Sequence, residues 1–189
     1  MFFSRRNLLN EYPIYQTDIK AIGSDVNLLD ECLEYYQLVE DLIQDDVVLK
    51  MFDYMQHGTT TCYEHCINVS YYSYKMAKHF GLDIKSTARG ALLHDLFLYD
   101  WHKTMLREPL FQKHAFSHPK KALENAMQYF HLNEKEQDII VKHMWPLTIK
   151  FPRYKESYIV MFMDKYCCLL ETFLPLFHRI RMIKRVNYL

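Results

Sequence analysis

Apolar residues recur at helical spacing along most of the chain, and this periodicity constrains the fold more than any other feature of the sequence. The segment from Asp25 to about Met55 has this spacing, and Asp45-Asp46 mark a point where it can break into two helices. Proline and glycine occur at intervals that suit helices joined by short connections, without internal repeats or low-complexity stretches. The sequence therefore predicts an all-α fold, a compact helical bundle.

Capping residues predict where individual helices begin and end. A threonine N-cap before Glu64 predicts a helix that starts near Thr61 or Cys62 after a polar loop (57–61), and Gly81 is expected to end it. Pro119 suits the first position of a helix, which places His118 at or beside the N-cap. The other helices are predicted over Asp83–Leu98, Ser117 to about His131, Asn133 or Glu134 to about Met144, Glu156–Thr172, and Pro175–Asn187. The first of these contains His94-Asp95, and the helix from Glu156 contains Asp164.

Length and composition predict one structural domain and exclude several functions. Half of the 189 residues are hydrophobic, which is enough for one core, with residues 1–60 as a helical extension packed on a domain of residues 61–189. The four glycines are widely scattered, so the glycine-rich phosphate loops of dinucleotide-binding and P-loop proteins are excluded. The formal net charge is zero, so we expect no nucleic-acid partner.

The sequence also predicts a cytoplasmic protein without a membrane partner. The N-terminus lacks the hydrophobic stretch of a signal peptide, and the longest apolar run, Ile159 to Met163, is far shorter than a membrane span. The five cysteines form no CxxC pair, which favours buried, reduced thiols.

Several polar side chains are predicted to point into the core. His65 shares a helix stripe with Val69, Tyr72 and Met76, at positions i, i+4, i+7 and i+11. The pair His94-Asp95 follows two small residues, Gly90 and Ala91, which allow another element to approach closely. His143 follows Ile139 and Ile140 on their apolar face.

Two carboxylates are predicted on apolar stripes, where an unpaired charge is costly. Asp164 lies between Val160-Met161 and Cys167-Cys168 in a predicted helix, and Asp95 lies beside His94. Burial of an unpaired carboxylate costs several kcal/mol or more, so each requires a cation, a proton or strong donors. A metal ion would satisfy both carboxylates and would also use the inward-facing histidines.

The chain resembles the HD-domain superfamily of metal-dependent phosphohydrolases in the order and helical context of four residues. The H…HD…D pattern of that superfamily corresponds to His65, the pair His94-Asp95 and Asp164. His118 and His143, between the pair and the last aspartate, resemble the two extra ligands of its binuclear branch. That branch includes cyclic-dinucleotide phosphodiesterases, a diadenosine tetraphosphate hydrolase group and mixed-valent di-iron oxygenases. The resemblance extends over roughly residues 61–170.

The resemblance implies a ligand set and a reaction. His65, His94 and Asp164 would bind one metal ion, His118 and His143 would bind a second, and Asp95 would bridge the two. His94 and Asp95 would be the catalytic residues, and a bridging hydroxide would attack a phosphoester or nucleotide, either as a phosphomonoesterase or as a phosphodiesterase. Ligands with only nitrogen and oxygen donors favour two divalent transition metals from among Fe, Mn, Co, Ni and Zn.

The chain departs from the pattern in two respects and leaves other functions open. Leu98 stands where many hydrolases of the group have a lysine. The Gly-Tyr-Pro sequence that belongs to the signature of cyclic-di-GMP phosphodiesterases does not occur in the chain. Candidates for contact with the small phosphorylated or nucleotide substrate, or for the outer shell, are His57, His102, His114, Lys103, Lys120 and Lys121, although Lys103 and Lys120 fit solvated charges better. The alternatives are a di-iron oxygenase on the same scaffold and a non-enzymatic helical module that senses a metal or nucleotide.

Overall fold

A computed structural model describes residues 28–57, 60–100 and 114–186. Within these ranges, only the backbone is described for residues 28–32, 57, 114–115 and 174–186.

The described part of the chain is helical apart from one short hairpin, so the all-α prediction is confirmed. A turn of 3-10 helix covers Lys50–Asp53, and two short strands pair antiparallel, β1 (Met55–His57) and β2 (Thr60–Thr61). The seven described α-helices are α1 (Leu28–Ile43), α2 (Asp46–Leu49), α3 (Cys62–His79), α4 (Ile84–Leu92), α5 (His114–Tyr129), α6 (Glu134–Lys142) and α7 (Lys155–Val186).

Local capping interactions explain the helix starts that the sequence predicts. The predicted break after α1 is confirmed, because the Asp45 carboxylate caps α2 by accepting the Val47 N–H at 2.8 Å. At the start of α3, the Thr61 hydroxyl accepts the Glu64 N–H at 3.2 Å, and the Glu64 carboxylate accepts the Thr61 N–H at 2.8 Å. Gly81 follows α3 with a φ of 63°, a left-handed conformation that glycine adopts without strain.

The core lies between α1, α3 and α4, so the segment before residue 60 packs on the segment after it. The Tyr35 hydroxyl on α1 donates to the Ser70 hydroxyl on α3 at 2.8 Å, and Ser70 donates to the Ala88 carbonyl on α4 at 2.7 Å. These polar groups lie among fully buried apolar side chains that include Leu42 and Leu92. The division into an extension and a domain at residue 60 stays a prediction.

The close approach predicted at Gly90 is present between α4 and α6. A Cβ added to Gly90 would lie 2.9 Å from the Cδ1 atom and 3.1 Å from the Cβ atom of Ile139. Only glycine therefore allows α6 to pack this closely against α4, and α6 leads directly to His143.

A buried carboxylate joins α6 to α7. The Asp138 carboxylate accepts the Ser157 hydroxyl at 2.7 Å and the Arg153 N–H at 2.9 Å, and it pairs with Lys142. Asp138 is buried. These contacts set the position of α7, which carries Asp164, relative to the end of α6.

Two predictions around α3 and α4 are wrong. The helix from Asp83 ends at Leu92, and Leu93 caps it through a 3.2 Å bond from its N–H to the Arg89 carbonyl, so His94-Asp95 lie in the turn that follows. The segment predicted as a loop (57–61) instead contributes to the β1–β2 hairpin.

Two predictions about helix ends involve proline and are also wrong. Helix α5 already includes His114, so His118 lies inside it and Pro119 is an interior residue. Helix α7 continues from Lys155 to Val186 through Pro175 rather than forming two helices. The fixed φ of proline is compatible with a helix, and the missing N–H costs one backbone hydrogen bond without necessarily ending it. Among the described helices, none combines the length and the apolar character that crossing a bilayer requires.

Candidate metal centre

The structure brings all six predicted ligand side chains together at one buried site. His65 comes from α3, His118 from α5 and Asp164 from α7, while the turn after α4 supplies His94-Asp95 and the C-cap of α6 supplies His143. The exposed fractions are 0% for His65 and His94, 2% for Asp95, 4% for His118, 1% for His143 and 9% for Asp164.

The two oxygens of Asp95 face different histidines. Its Oδ1 atom lies 3.2 Å from His118 Nε2 and 3.6 Å from His143 Nε2. Its Oδ2 atom lies 3.4 Å from His94 Nε2. One carboxylate therefore stands between two groups of imidazole nitrogens, the arrangement that a bridging ligand requires.

Asp164 completes the group that contains His94. Its Oδ1 atom lies 3.2 Å from His65 Nε2 and 3.7 Å from His94 Nε2. Three sets of side chains have donor atoms within 4.8 Å of one another: His65, His94 and Asp95; His94, His143 and Asp164; and Asp95, His118 and His143.

Backbone carbonyls set the tautomers of two histidines. His94 Nδ1–H donates to the Ala91 carbonyl at 2.7 Å, and His143 Nδ1–H donates to the Ile140 carbonyl at 2.8 Å. Each bond fixes Nδ1 as a donor and leaves the Nε2 atom directed into the site, as metal-binding histidines require. His118 Nε2 lies only 2.8 Å from His143 Nε2, a separation at which two lone pairs repel unless a proton or a cation lies near both.

Two buried donor atoms of the proposed ligands lack hydrogen bonds. The Nε2 atom of His94 and the Oδ1 atom of Asp95 are fully buried and make none. Buried polar atoms are normally satisfied, so orphaned donor atoms at the centre of a His and Asp cluster indicate a missing partner. A divalent transition metal fits this nitrogen and oxygen donor set.

The electrostatics of the site favour anionic carboxylates. Burial alone would raise the pKa of Asp95, but the nearby His94 and His118 hold this pKa well below its ordinary value. The pKa of Asp164 is also lowered, because the hydrogen bond from His65 and the proximity of His94 outweigh its burial. Both carboxylates are therefore charged at neutral pH.

One histidine is neutral at the same pH. Burial, together with the charge of His94, lowers the pKa of His143 to about 3. His143 consequently offers a free lone pair without first losing a proton, as a metal ligand must.

The neighbouring cysteines are thiols and support the turn that holds Asp95. The Cys62 thiol donates to the Asp95 carbonyl at 3.3 Å, and the Phe97 N–H donates to the same oxygen at 2.8 Å. Burial raises the pKa of Cys62 and of Cys66, so neither supplies a thiolate.

Sequence reasoning missed two polar side chains that contact the proposed ligands. Gln56 on β1 donates from Nε2 to Asp95 Oδ2 at 2.6 Å, and its own buried Oε1 makes no hydrogen bond. Glu171 on α7 accepts at Oε2 from His65 Nδ1 at 2.8 Å. Glu171 lies on the same helix face as Asp164, two turns later, so helical periodicity could have revealed it. Gln56 lies in a hairpin that no sequence pattern predicts.

The predicted substrate contacts are only partly visible. The side chains of His57 and His114, and all of His102 and Lys103, lie outside the described residues. Leu98, which replaces the expected lysine, has a φ of 54° and packs against the core.

The two other candidate lysines face the surface or an aromatic ring. Lys120 is exposed and lies 3.5 Å from Glu124, one helical turn away. The Lys121 ammonium lies 4.5 Å from the centroid of the Tyr99 ring. Both arrangements fit solvated charges rather than groups directed at the buried cluster.

Comparison with known proteins identifies one family. The sequence model of the HD domain matches residues 62–168, which include all six clustered side chains. A search of curated proteins and a search of solved structures each found no significant match.

Proposed function

The chain belongs to the HD-domain family, and from that membership we propose that it is a metal-dependent phosphohydrolase that hydrolyses a phosphoester or nucleotide. The observation that carries the proposal is the position of Asp95, whose Oδ2 faces His94 and whose Oδ1 faces His118 and His143. His65, His94 and Asp164 would hold one divalent ion, His118 and His143 would hold the second, and Asp95 would bridge them.

Two bound divalent ions would supply Lewis acidity toward phosphoryl oxygens and would lower the pKa of water toward neutrality. The charges of the proposed ligands suit this chemistry. Asp95 and Asp164 carry two negative charges in the ligand set, which do not neutralise two divalent cations. The two ions and this ligand set together would therefore keep a net positive charge, which would attract an anionic phosphate without a lysine at the position of Leu98.

Hydrogen bonds orient the side chains of the proposed metal site. Backbone carbonyls fix His94 and His143, and Gln56 holds Asp95 Oδ2 so that Oδ1 faces His118 and His143. Preorganised donors need no rearrangement as charge develops in the transition state. The unpaired Oε1 of Gln56 is an acceptor that can orient an O–H group beside Asp95.

The substrate class and the compartment belong to the same proposal. We assign a small phosphorylated or nucleotide substrate because the positive site favours anions. We assign a cytoplasmic location because Cys62, Cys66 and Cys167 are buried, free thiols, which persist in reducing compartments.

A panel of phosphoesters tests the proposal. The protein loaded with Mn²⁺ or Co²⁺ is incubated with nucleoside monophosphates, cyclic dinucleotides, dinucleoside polyphosphates and bis(4-nitrophenyl) phosphate, and released phosphate or nucleotide is measured. We expect turnover of at least one member, its loss on chelation, and its loss in Asp164→Asn. Absence of turnover across the panel with every divalent metal would contradict the proposal and favour a sensing module.

A further inference from the structure

One imidazole at the proposed metal centre is held by carboxylates at both of its nitrogens. Asp164 Oδ1 lies 3.2 Å from Nε2 of His65, and Glu171 Oε2 lies 2.8 Å from Nδ1. The His65 side chain is completely buried, so no water competes for either nitrogen from bulk solvent.

Helix geometry explains how α7 supplies both carboxylates. Asp164 and Glu171 are two helical turns apart on one face, separated by about 10 Å along the axis at 1.5 Å per residue. The imidazole and its two hydrogen bonds fill this separation. Helix α7 therefore contacts both ring nitrogens of His65.

Glu171 is itself fixed by a second residue on α3. The Asn68 side-chain amide donates from Nδ2 to Glu171 Oε1 at 2.9 Å. The Glu171 side chain is only 9% exposed. One carboxylate oxygen thus serves Asn68 and the other serves His65, so Glu171 can adopt few other positions.

We propose that Glu171 is a positioning residue for the metal centre: it holds the Nδ1–H of His65 so that Nε2 presents its lone pair to the metal. The negative charge of Glu171 also makes the imidazole a stronger donor. This inference rests on the metal site of the proposed function, but not on the reaction carried out there. Outer carboxylates of this kind change metal affinity about 10-fold to 100-fold when they are removed.

A purely structural role for Glu171 makes a different prediction. If the Glu171–His65–Asn68 contacts only join α3 to α7, removing the carboxylate will lower the stability of the metal-free protein and leave the metal affinity of the folded fraction unchanged. The deciding measurement is therefore metal affinity in the absence of any substrate.

The test uses the full chain and Mn²⁺ alone, with free Mn²⁺ quantified by its electron paramagnetic resonance signal during titration. We expect Glu171→Ala to weaken Mn²⁺ binding about 10-fold to 100-fold. Glu171→Gln should fall between Glu171→Ala and the wild type, because its amide oxygen still accepts from His65 but carries no charge. Asn68→Ala should weaken binding less and in the same direction. Glu124→Gln, an exposed carboxylate on α5, is the matched control and should bind as the wild type does.

A spectroscopic readout reports on His65 directly. In the Zn²⁺-loaded protein with ¹⁵N-labelled histidine, the Nδ1–H proton of His65 should be protected from solvent exchange, and Glu171→Ala should abolish this protection. If Glu171→Ala does not fold, Mn²⁺ affinity and exchange protection of the His65 proton are measured on Glu171→Gln and Asn68→Ala instead. Unchanged Mn²⁺ affinity in folded Glu171→Ala, or in both other variants, would overturn the inference while leaving the proposed function intact. A wild-type chain that binds no Mn²⁺ would overturn both.

Discussion

The Nε2 atom of His118 lies 3.2 Å from the Oδ1 atom of Asp95. This contact joins the interior of α5 to the turn after α4, and it gives the buried cluster its second group of donors. A protein with only the HD pair and the two flanking residues, His65 and Asp164, would have no donor beside this oxygen. The contact is therefore the structural basis for proposing two metal ions rather than one.

Removal of Asp95 is expected to remove most bound metal. Asp95→Ala deletes the carboxylate whose Oδ1 faces His118 and His143 and whose Oδ2 faces His94, so the metal content per chain, measured by plasma emission after dialysis, should fall by at least about 10-fold. His131→Ala is the control, because His131 is exposed in the connection between α5 and α6. Equal metal loading of Asp95→Ala and the wild type would refute the bridging assignment.

Removal of His118 is expected to halve the metal content. His118→Ala disrupts only the donors proposed for the second ion, so one ion per chain should remain bound by His65, His94 and Asp164 while Asp95 retains its position. The same emission measurement checks this, with His65→Ala tested in parallel. If His118→Ala binds as much metal as the wild type, the binuclear assignment fails and one-metal chemistry remains.

The turn and hairpin that complete the site show the limit of sequence reasoning. The capping box of α3 and the convergence of the six ligand types were predictable, because each depends on local spacing or on a motif. The end of α4 before His94 was not, because no glycine or proline marks it and Leu93 is capped only by backbone. Gln56 was also unpredictable, since its contact with Asp95 depends on how the β1–β2 hairpin packs on the bundle.

The close approach at Gly90 leads to a stability prediction. Gly90→Ala should lower the free energy of unfolding by about 1–3 kcal/mol, because the new methyl group would overlap the Ile139 side chain. Urea denaturation with chelator present measures the change. Adding Ile139→Val removes the Cδ1 atom, so the double variant should recover part of the loss. A Gly90→Ala protein as stable as the wild type would show that α4 and α6 separate easily.

The carboxylate that joins α6 to α7 is expected to make stability depend on pH. Burial would raise the pKa of Asp138, but hydrogen bonds from Lys142, Arg153 and Ser157 lower it below its ordinary value of 3.8. Because the pKa is lower in the folded state, the stabilisation is complete above the unfolded pKa and is lost as the pH falls through the folded value.

Asp138→Asn should therefore lower the free energy of unfolding by about 2 kcal/mol at pH 7, with a smaller difference from the wild type below about pH 4. Urea denaturation of both metal-free proteins over this pH range measures the difference. Glu124→Gln, on the exposed face of α5, should show no such pattern. A difference that stays constant down to pH 3 would contradict the assignment of an ionised Asp138.

We propose that the clustered histidines and aspartates support hydrolysis of a phosphoester rather than oxygen chemistry. The most direct measurement is an anaerobic phosphoester assay of the Mn²⁺-loaded protein, run beside an oxygen electrode on the iron-loaded protein with the same substrates. We expect release of phosphate or nucleotide without oxygen, and no substrate-dependent oxygen uptake. Substrate-dependent oxygen uptake by the iron form, together with no anaerobic turnover, would contradict it and identify a di-iron oxygenase.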